Sequence, residues 1–207
     1  MLKVGLTGGV ACGKSTVLAM FAARGAHTIR ADEVAHRLMQ PGTAVYAKVV
    51  ATFGRGILSA DGVIDRRKLA ETAFPERIKE LNAVVHPAVI EEEDRWMSEI
   101  GRRDPRAVAI EEAALIFEAG AEKRMDRMIT VTCTPEQKAA RFAERTGLSL
   151  EAARVEVERR MAAQIPEEEK AARSDYVIDN SGAPAETERQ VERIWRELAE
   201  LAASNHR

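Results

Sequence analysis

Five short apolar or β-branched runs, separated by stretches whose apolar residues recur at helical spacing, organise the chain. Leu2-Lys3-Val4-Gly5-Leu6-Thr7 reads as a buried strand and His27-Thr28-Ile29-Arg30-Ala31 as a second. Arg106 to Ile110, Met128 to Cys133 and Asp175-Tyr176-Val177-Ile178-Asp179 supply three more. Between the first two strands, Val17, Met20, Phe21 and Arg24 mark a helix that stops at Gly25. Asp32 then stands as the N-cap of a helix carrying Val34 and Leu38, which Pro41-Gly42 ends. Residues 43–54 present Val45, Val49, Val50 and Phe53 on one face, and Asp61-Gly62 marks a turn. A largely helical region continues to about residue 100, with Asp65 as a cap. Within it, His86-Pro87 predicts a break in a helix that begins near Pro75, because proline lacks the N–H donor and restricts its predecessor.

The second half is punctuated as clearly. Gly101-Arg102-Arg103-Asp104-Pro105 reads as a turn, and Ala114-Leu115-Ile116-Phe117-Glu118 closely follows the third strand. Thr134-Pro135-Glu136-Gln137 has capping-box spacing with proline at the first helical position, and Ser149 opens another helix. Asn180-Ser181-Gly182 turns the chain, and Pro184 starts a last helix whose stripe of Val191, Ile194, Trp195, Leu198 and Leu201 marks it for packing.

With 207 residues, 45% of them apolar, the chain can bury a full core, so one main domain with an inserted or appended subdomain is expected. A formal net charge of −2 argues against nucleic acid as a partner. No apolar run of about eighteen residues and no signal segment appears, so a cytoplasmic protein with no membrane partner is expected. Cys12 and Cys133 lack metal-ligand spacing and are expected as free thiols, Cys12 being open to an acidic shift at a helix N-terminus.

The chemistry concentrates between the first strand and the first helix. Gly8-Gly9-Val10-Ala11-Cys12-Gly13-Lys14-Ser15-Thr16 fits G-x-x-x-x-G-K-[ST], the phosphate-binding loop. Its glycines let successive N–H groups point inward, and the helix N-terminus adds partial positive charge. Lys14 can reach the β- and γ-phosphates, the Ser15 hydroxyl can ligate Mg²⁺, and Thr16 adds a phosphate contact. Asp32, after the second strand, suits a base toward an acceptor hydroxyl as well as a cap. Arg66-Arg67-Lys68 is either a solvated face or an anion contact, and His86 is either structural or functional. Glu111 and Glu112 could meet Mg²⁺ through water, though solvated carboxylates are the commoner outcome. Arg141 and Arg145 share one helical face, followed by Arg154, Arg159 and Arg160, as in a lid closing over phosphates or in a salt-bridged surface.

The ordered set resembles the dephospho-coenzyme A kinase family along nearly the whole chain. The matching pieces are Gly5-Leu6-Thr7-Gly8-Gly9 running into Gly13-Lys14-Ser15-Thr16, Ala31-Asp32 with Ala35-His36, and Asp61-Gly62 with Ile64-Asp65-Arg66 and Leu69. His86-Pro87, Leu115 to Glu118, Pro135-Glu136 with Arg141 and Arg145, Gln164, and Asp175 to Gly182 complete the match. The resemblance implies a three-layer α/β/α P-loop kinase fold with a five-stranded parallel sheet. Its core would be residues 1–42, 101–134 and 173–207, with a helical acceptor-binding insert at 43–100 and a small lid at 135–172. It implies transfer of phosphate from ATP, with Mg²⁺, to the ribose 3′-hydroxyl of dephospho-CoA; another P-loop kinase acting on a nucleoside or nucleotide is the alternative.

Carried over by position, Asp32 would be the general base, Lys14 and Arg141 the γ-phosphate stabilisers and Ser15 the metal ligand. ATP would meet Gly9, Val10, Ala11, Cys12, Gly13, Lys14, Ser15, Thr16, Arg141 and Asn180, and the acceptor would meet Thr7, Asp32, His86 and Arg145. The chain differs from the family pattern in three places. Arg30-Ala31-Asp32 stands where Asp-Ala-Asp is common, Ala11-Cys12 where Gly-Ser is usual, and Ala114 where proline is usual.

Overall fold

The computed structural model describes residues 1–74 and 76–204. Two compact units form, one of Met1–Ile29 with Glu99–Arg207 and the other of Arg30–Ser98. The first unit is built on strands β1 (Leu2–Gly8), β2 (His27–Arg30), β3 (Val108–Glu112), β4 (Arg127–Thr132) and β5 (Tyr176–Asp179). They form one parallel sheet in the order β2-β3-β1-β4-β5, with Leu2 to Leu6 opposite Val108 to Glu112 and Val4 to Gly8 opposite Arg127 to Val131. Parallel neighbours need long crossovers, which is why helical stretches separate the apolar runs.

Strand alternation assigns the two faces. Leu2, Val4 and Leu6 of β1 and Ile129 and Val131 of β4 turn to one side and pack with Val17, Leu18 and Phe21 of α1 (Lys14–Ala22). Val191, Ile194 and Leu198 of the last helix, Pro184–Ser204, complete that layer, as its stripe predicts. Each of these fully buried side chains contributes about 1.5–3 kcal/mol. On the other side, Met128 packs with Ile116, Phe117 and Ala121, and Thr130 donates a hydrogen bond from Oγ1 to the Lys170 carbonyl. Gly5 makes room there: a Cβ would come within 2.5 Å of Met128 Sδ and 3.2 Å of Ile116 Cδ1, so those side-chain ends would have to shift.

The second unit is helical. It holds α2 (Ala31–Leu38), α3 (Ala44–Phe53), α4 (Arg66–Ala73) and most of α5 (Ile78–Arg103). Asp65 caps α4 as expected, accepting from the Arg67 and Lys68 amides, and Thr43 caps α3. Asp32 is not a cap: Arg30 holds the N-cap position of α2, and Asp32 lies inside its first turn. The carboxylate still favours that turn through the helix dipole. Nor does His86-Pro87 break the helix, because α5 runs unbroken through Pro87 over its whole 26-residue length, Ile78–Arg103. One missing N–H interrupts one bond of a long ladder while Val85, Val89 and Met97 stay buried. The same helix absorbs Gly101 to Arg103, so the expected turn is shortened to the residues after Arg103. The expected start near Pro75 falls on a residue outside those described.

The chain after β4 forms α6 (Pro135–Thr146), α7 (Leu150–Met161), α8 (Glu167–Ala172) and, after β5, α9 (Pro184–Ser204). The Thr134–Gln137 capping box and the Ser149 cap are both formed. Among the described residues no helix is long and apolar enough to cross a membrane.

Candidate active site

Between β1 and α1 the backbone makes the loop that its glycines dictate. Gly8 has φ 144° and Gly13 φ 94°, and a Cβ on either would collide, with the Val131 carbonyl oxygen and with Asn180 Nδ2 respectively. Lys14 folds back over this loop, its Nζ donating to the Gly8 carbonyl at 3.1 Å and to the Gly9 carbonyl at 2.9 Å. The ammonium therefore bridges the start of the loop while its backbone begins α1. Ser15 and Thr16, the next two residues of that helix, are exposed.

Two residues from distant parts of the sequence hold the end of the loop. Arg141 of α6 donates to the Cys12 carbonyl at 3.3 Å and to the Asn180 carbonyl at 3.0 Å. Asn180 donates from Nδ2 to the same Cys12 carbonyl at 2.8 Å, and its Oδ1 accepts from Thr187 Oγ1 at 2.9 Å. Arg141 and Asn180 thus meet at the residue before Gly13, which brings together three elements that sequence spacing lists separately. Arg145, one turn on, stacks its guanidinium over the Phe142 ring at 5.3 Å. Arg159 and Arg160 pair with Glu156 at 2.8 and 2.7 Å, the salt-bridged alternative for these two. Their bonds hold the Glu156 carboxyl down at about 2.

Ala11 has φ 55°, the left-handed region, where an L side chain costs about 1–2 kcal/mol. Glycine removes that strain but gives back about 0.4–1 kcal/mol through unfolded-chain entropy. Ala11→Gly is accordingly expected to raise stability by between about 0 and about 1.6 kcal/mol in equilibrium chemical denaturation; a clear loss would show that the loop uses the methyl group. Cys12 is fully buried, and burial pushes its thiol up despite the nearby Lys14 ammonium. The acidic thiol expected at a helix N-terminus is therefore corrected: desolvation outweighs the helix end. Cys133, also a free thiol, is pushed up to about 11 by burial.

Thr7 is fully buried and donates from Oγ1 to the Ala114 carbonyl at 3.3 Å. That carbonyl also accepts from Lys170 Nζ at 2.8 Å, and the same ammonium meets Gln164 Oε1 at 3.0 Å and Glu118 Oε1 at 2.9 Å. Lys170 is 1% exposed, so burial lowers its pKa while Glu118 opposes that shift. Sequence reasoning singled out Glu118 and Gln164 without their shared partner. No local spacing in the sequence points to Lys170, because the partners that define it come from separate segments. Glu111 and Glu112, expected as solvated, are instead strand residues only 2% and 8% exposed, because β3 lies between β2 and β1. Arg124 stands 3.7 Å from Glu111.

In the helical unit, Arg30 bonds Glu33 at 2.5 Å across one turn of α2. His86 is half buried in α5, and burial lowers its pKa, favouring neutral imidazole. Arg67 pairs with Glu71 at 2.9 Å and Lys68 donates to the Leu58 carbonyl at 2.9 Å, so both have local partners. No group of three or more His, Cys, Asp and Glu side chains gathers to hold a metal among the described residues.

A family model described as dephospho-CoA kinase matches residues 2–186. A dephospho-CoA kinase of Geobacter sulfurreducens is 45% identical over 194 residues, covering 93% of this chain and 96% of its own. Among solved structures, that of TT1252 from Thermus thermophilus superposes with a TM-score of 0.76 at 34% identity, covering 95% of this chain and 97% of the other. A dephospho-CoA kinase from Campylobacter jejuni gives a TM-score of 0.68 at 26% identity, covering 96% and 97%.

Proposed function

The chain belongs to the dephospho-CoA kinase family, and on that premise we propose a residue-level account of how it transfers phosphate. As a member it phosphorylates the ribose 3′-hydroxyl of dephospho-CoA with ATP, giving CoA and ADP in the last step of CoA synthesis. The observation supporting the account is the loop itself, with Lys14 drawn over its first carbonyls and Arg141 bonded beside Gly13.

Phosphoryl transfer leaves little covalent work for a protein, so catalysis rests on positioning and charge. In our reading the amides from Gly9 to Thr16 receive phosphate oxygens, and Lys14 exchanges its two carbonyl partners for the β- and γ-phosphates. Arg141 neutralises charge on the group in flight, and Asn180, already on the loop, borders the adenine. Asp32 accepts the proton of the acceptor hydroxyl, while Thr7, His86 and Arg145 help position the acceptor. Residues 43–100 form the acceptor-binding part and 135–172 a lid that excludes water. Thr7 would act through the Ala114 carbonyl that it already holds.

Mg²⁺ fits the donor chemistry at Ser15, an exposed hydroxyl in the first turn after Lys14. The cation takes hard oxygen ligands and is commonly held by one or two protein oxygens, water and substrate phosphates. When bound it would neutralise charge on the β- and γ-oxygens. Ser15→Ala is expected to raise the Mg²⁺ concentration for half-maximal rate about tenfold while leaving metal-free ATP binding unchanged. An unaltered metal requirement would remove Ser15 from the set of ligands.

A further inference from the structure

Lys138 and Glu167 stand outside every role given above. Lys138 lies on α6, three residues before Arg141 and therefore on the same face. Its Nζ is 2.6 Å from Glu167 Oε2, and the two side chains are only 7% and 15% exposed. The other carboxylate oxygen, Oε1, accepts a hydrogen bond from the Gly9 amide at 3.3 Å. Gly9 belongs to the phosphate loop, so one of its inward amides already holds an anion supplied by the chain. The fit is close: a Cβ at Gly9 would lie 2.8 Å from Glu167 Oε1. Beside it, Met161 Sδ accepts from the Val10 amide at 3.5 Å, so the next amide is covered too.

A carboxylate oxygen and a phosphate oxygen ask for the same partners, a backbone N–H and a cation. Here both converge on Glu167. A buried ion pair gains little over well-packed apolar residues, so its stability contribution does not account for placing one against this loop. Two anions cannot share the seat, and the ligand brings three phosphates to it.

We propose that Glu167 is an internal occupant of the phosphate site that ATP displaces, and that Lys138, released from it, becomes a phosphate-binding cation beside Lys14 and Arg141. This rests on the reading of the loop as the ATP site. The exchange conserves charge pairing: Lys138 passes from a carboxylate to a phosphate, and Glu167 passes to solvent. Glu167 is the first residue of a six-residue helix, so a shift of that one end releases it. ATP affinity is then a difference between two anions competing for one seat.

Equilibrium titration of the full chain with ATP, by calorimetry, separates the parts of this proposal. Glu167→Gln keeps the shape and loses the charge, and should bind ATP about tenfold more tightly than the parent. Adding Lys138→Met to that variant should weaken binding about tenfold again, although Glu167 no longer needs a partner. Unchanged ATP affinity in Glu167→Gln would overturn the occupant, and equal affinity in the single and double variants would overturn the role of Lys138. Should Glu167→Gln fail to fold, Glu167→Asp keeps a charge near Lys138 but is one methylene shorter. It should tighten ATP binding to a lesser degree, and unchanged affinity there overturns the proposal. A parent protein that binds no ATP would instead reject the loop reading, and the proposal with it.

Discussion

Lys14→Ala is expected to lower kcat/KM for ATP by at least about a hundredfold, the usual lower range for a lost charge stabiliser. The side chain has two tasks that one substitution removes together. Its ammonium holds the Gly8 and Gly9 carbonyls in the free enzyme, and in our account it meets the β- and γ-phosphates in the complex. Loss of two hydrogen bonds to a partly buried ammonium costs a few kcal/mol at most, so the variant should remain folded. Steady-state kinetics with a thermal melt as control makes the check. Turnover within tenfold of the parent would show that the loop amides and Arg141 suffice.

Asp32→Asn should lower kcat by at least about a hundredfold while leaving the ATP dissociation constant close to that of the parent. Asparagine preserves the shape but cannot take the proton from the acceptor hydroxyl. A structural effect is far smaller: an acidic residue in the first turn of α2 is worth about 0.3–1 kcal/mol through the helix dipole. A hundredfold effect corresponds to about 2.7 kcal/mol, beyond what that dipole term supplies. Near-parental turnover would remove Asp32 from the mechanism. Arg30, placed where an acidic residue is common in the family pattern, bonds Glu33, so its charge is partly engaged within α2.

Much of this was legible in the chain because the relevant signals are local. The phosphate loop declares itself by spacing, and the Asp65, Thr134 and Ser149 caps lie within three residues of the amides they bond. The strands were found within a residue or two, since each is a short apolar run bounded by turn residues. Other features depend on what lies across space. Nothing within β3 says that Glu111 and Glu112 will be buried, because their surroundings come from β1 and β2. Cys12 looked acidic from its place before a helix, yet the surrounding core determines its desolvation. The proline in α5 predicts a break because the local rule counts the missing donor and not the 26-residue helix around it. The six-residue α8, four charged residues followed by two alanines, is too short and too polar to show an apolar periodicity. Its Glu167 and Lys170 acquire meaning through Gly9, Lys138 and Glu118, all distant in sequence, and through Gln164 just before the helix.

The most direct test of the account is mass-spectrometric product analysis of the purified protein with Mg·ATP, offering dephospho-CoA, AMP, adenosine and shikimate separately. The account predicts one phosphoryl group added to dephospho-CoA at the ribose 3′ position, none added to the other three, and the product nearly lost in Asp32→Asn. Transfer to a different acceptor, or ATP binding without any transfer, would contradict it.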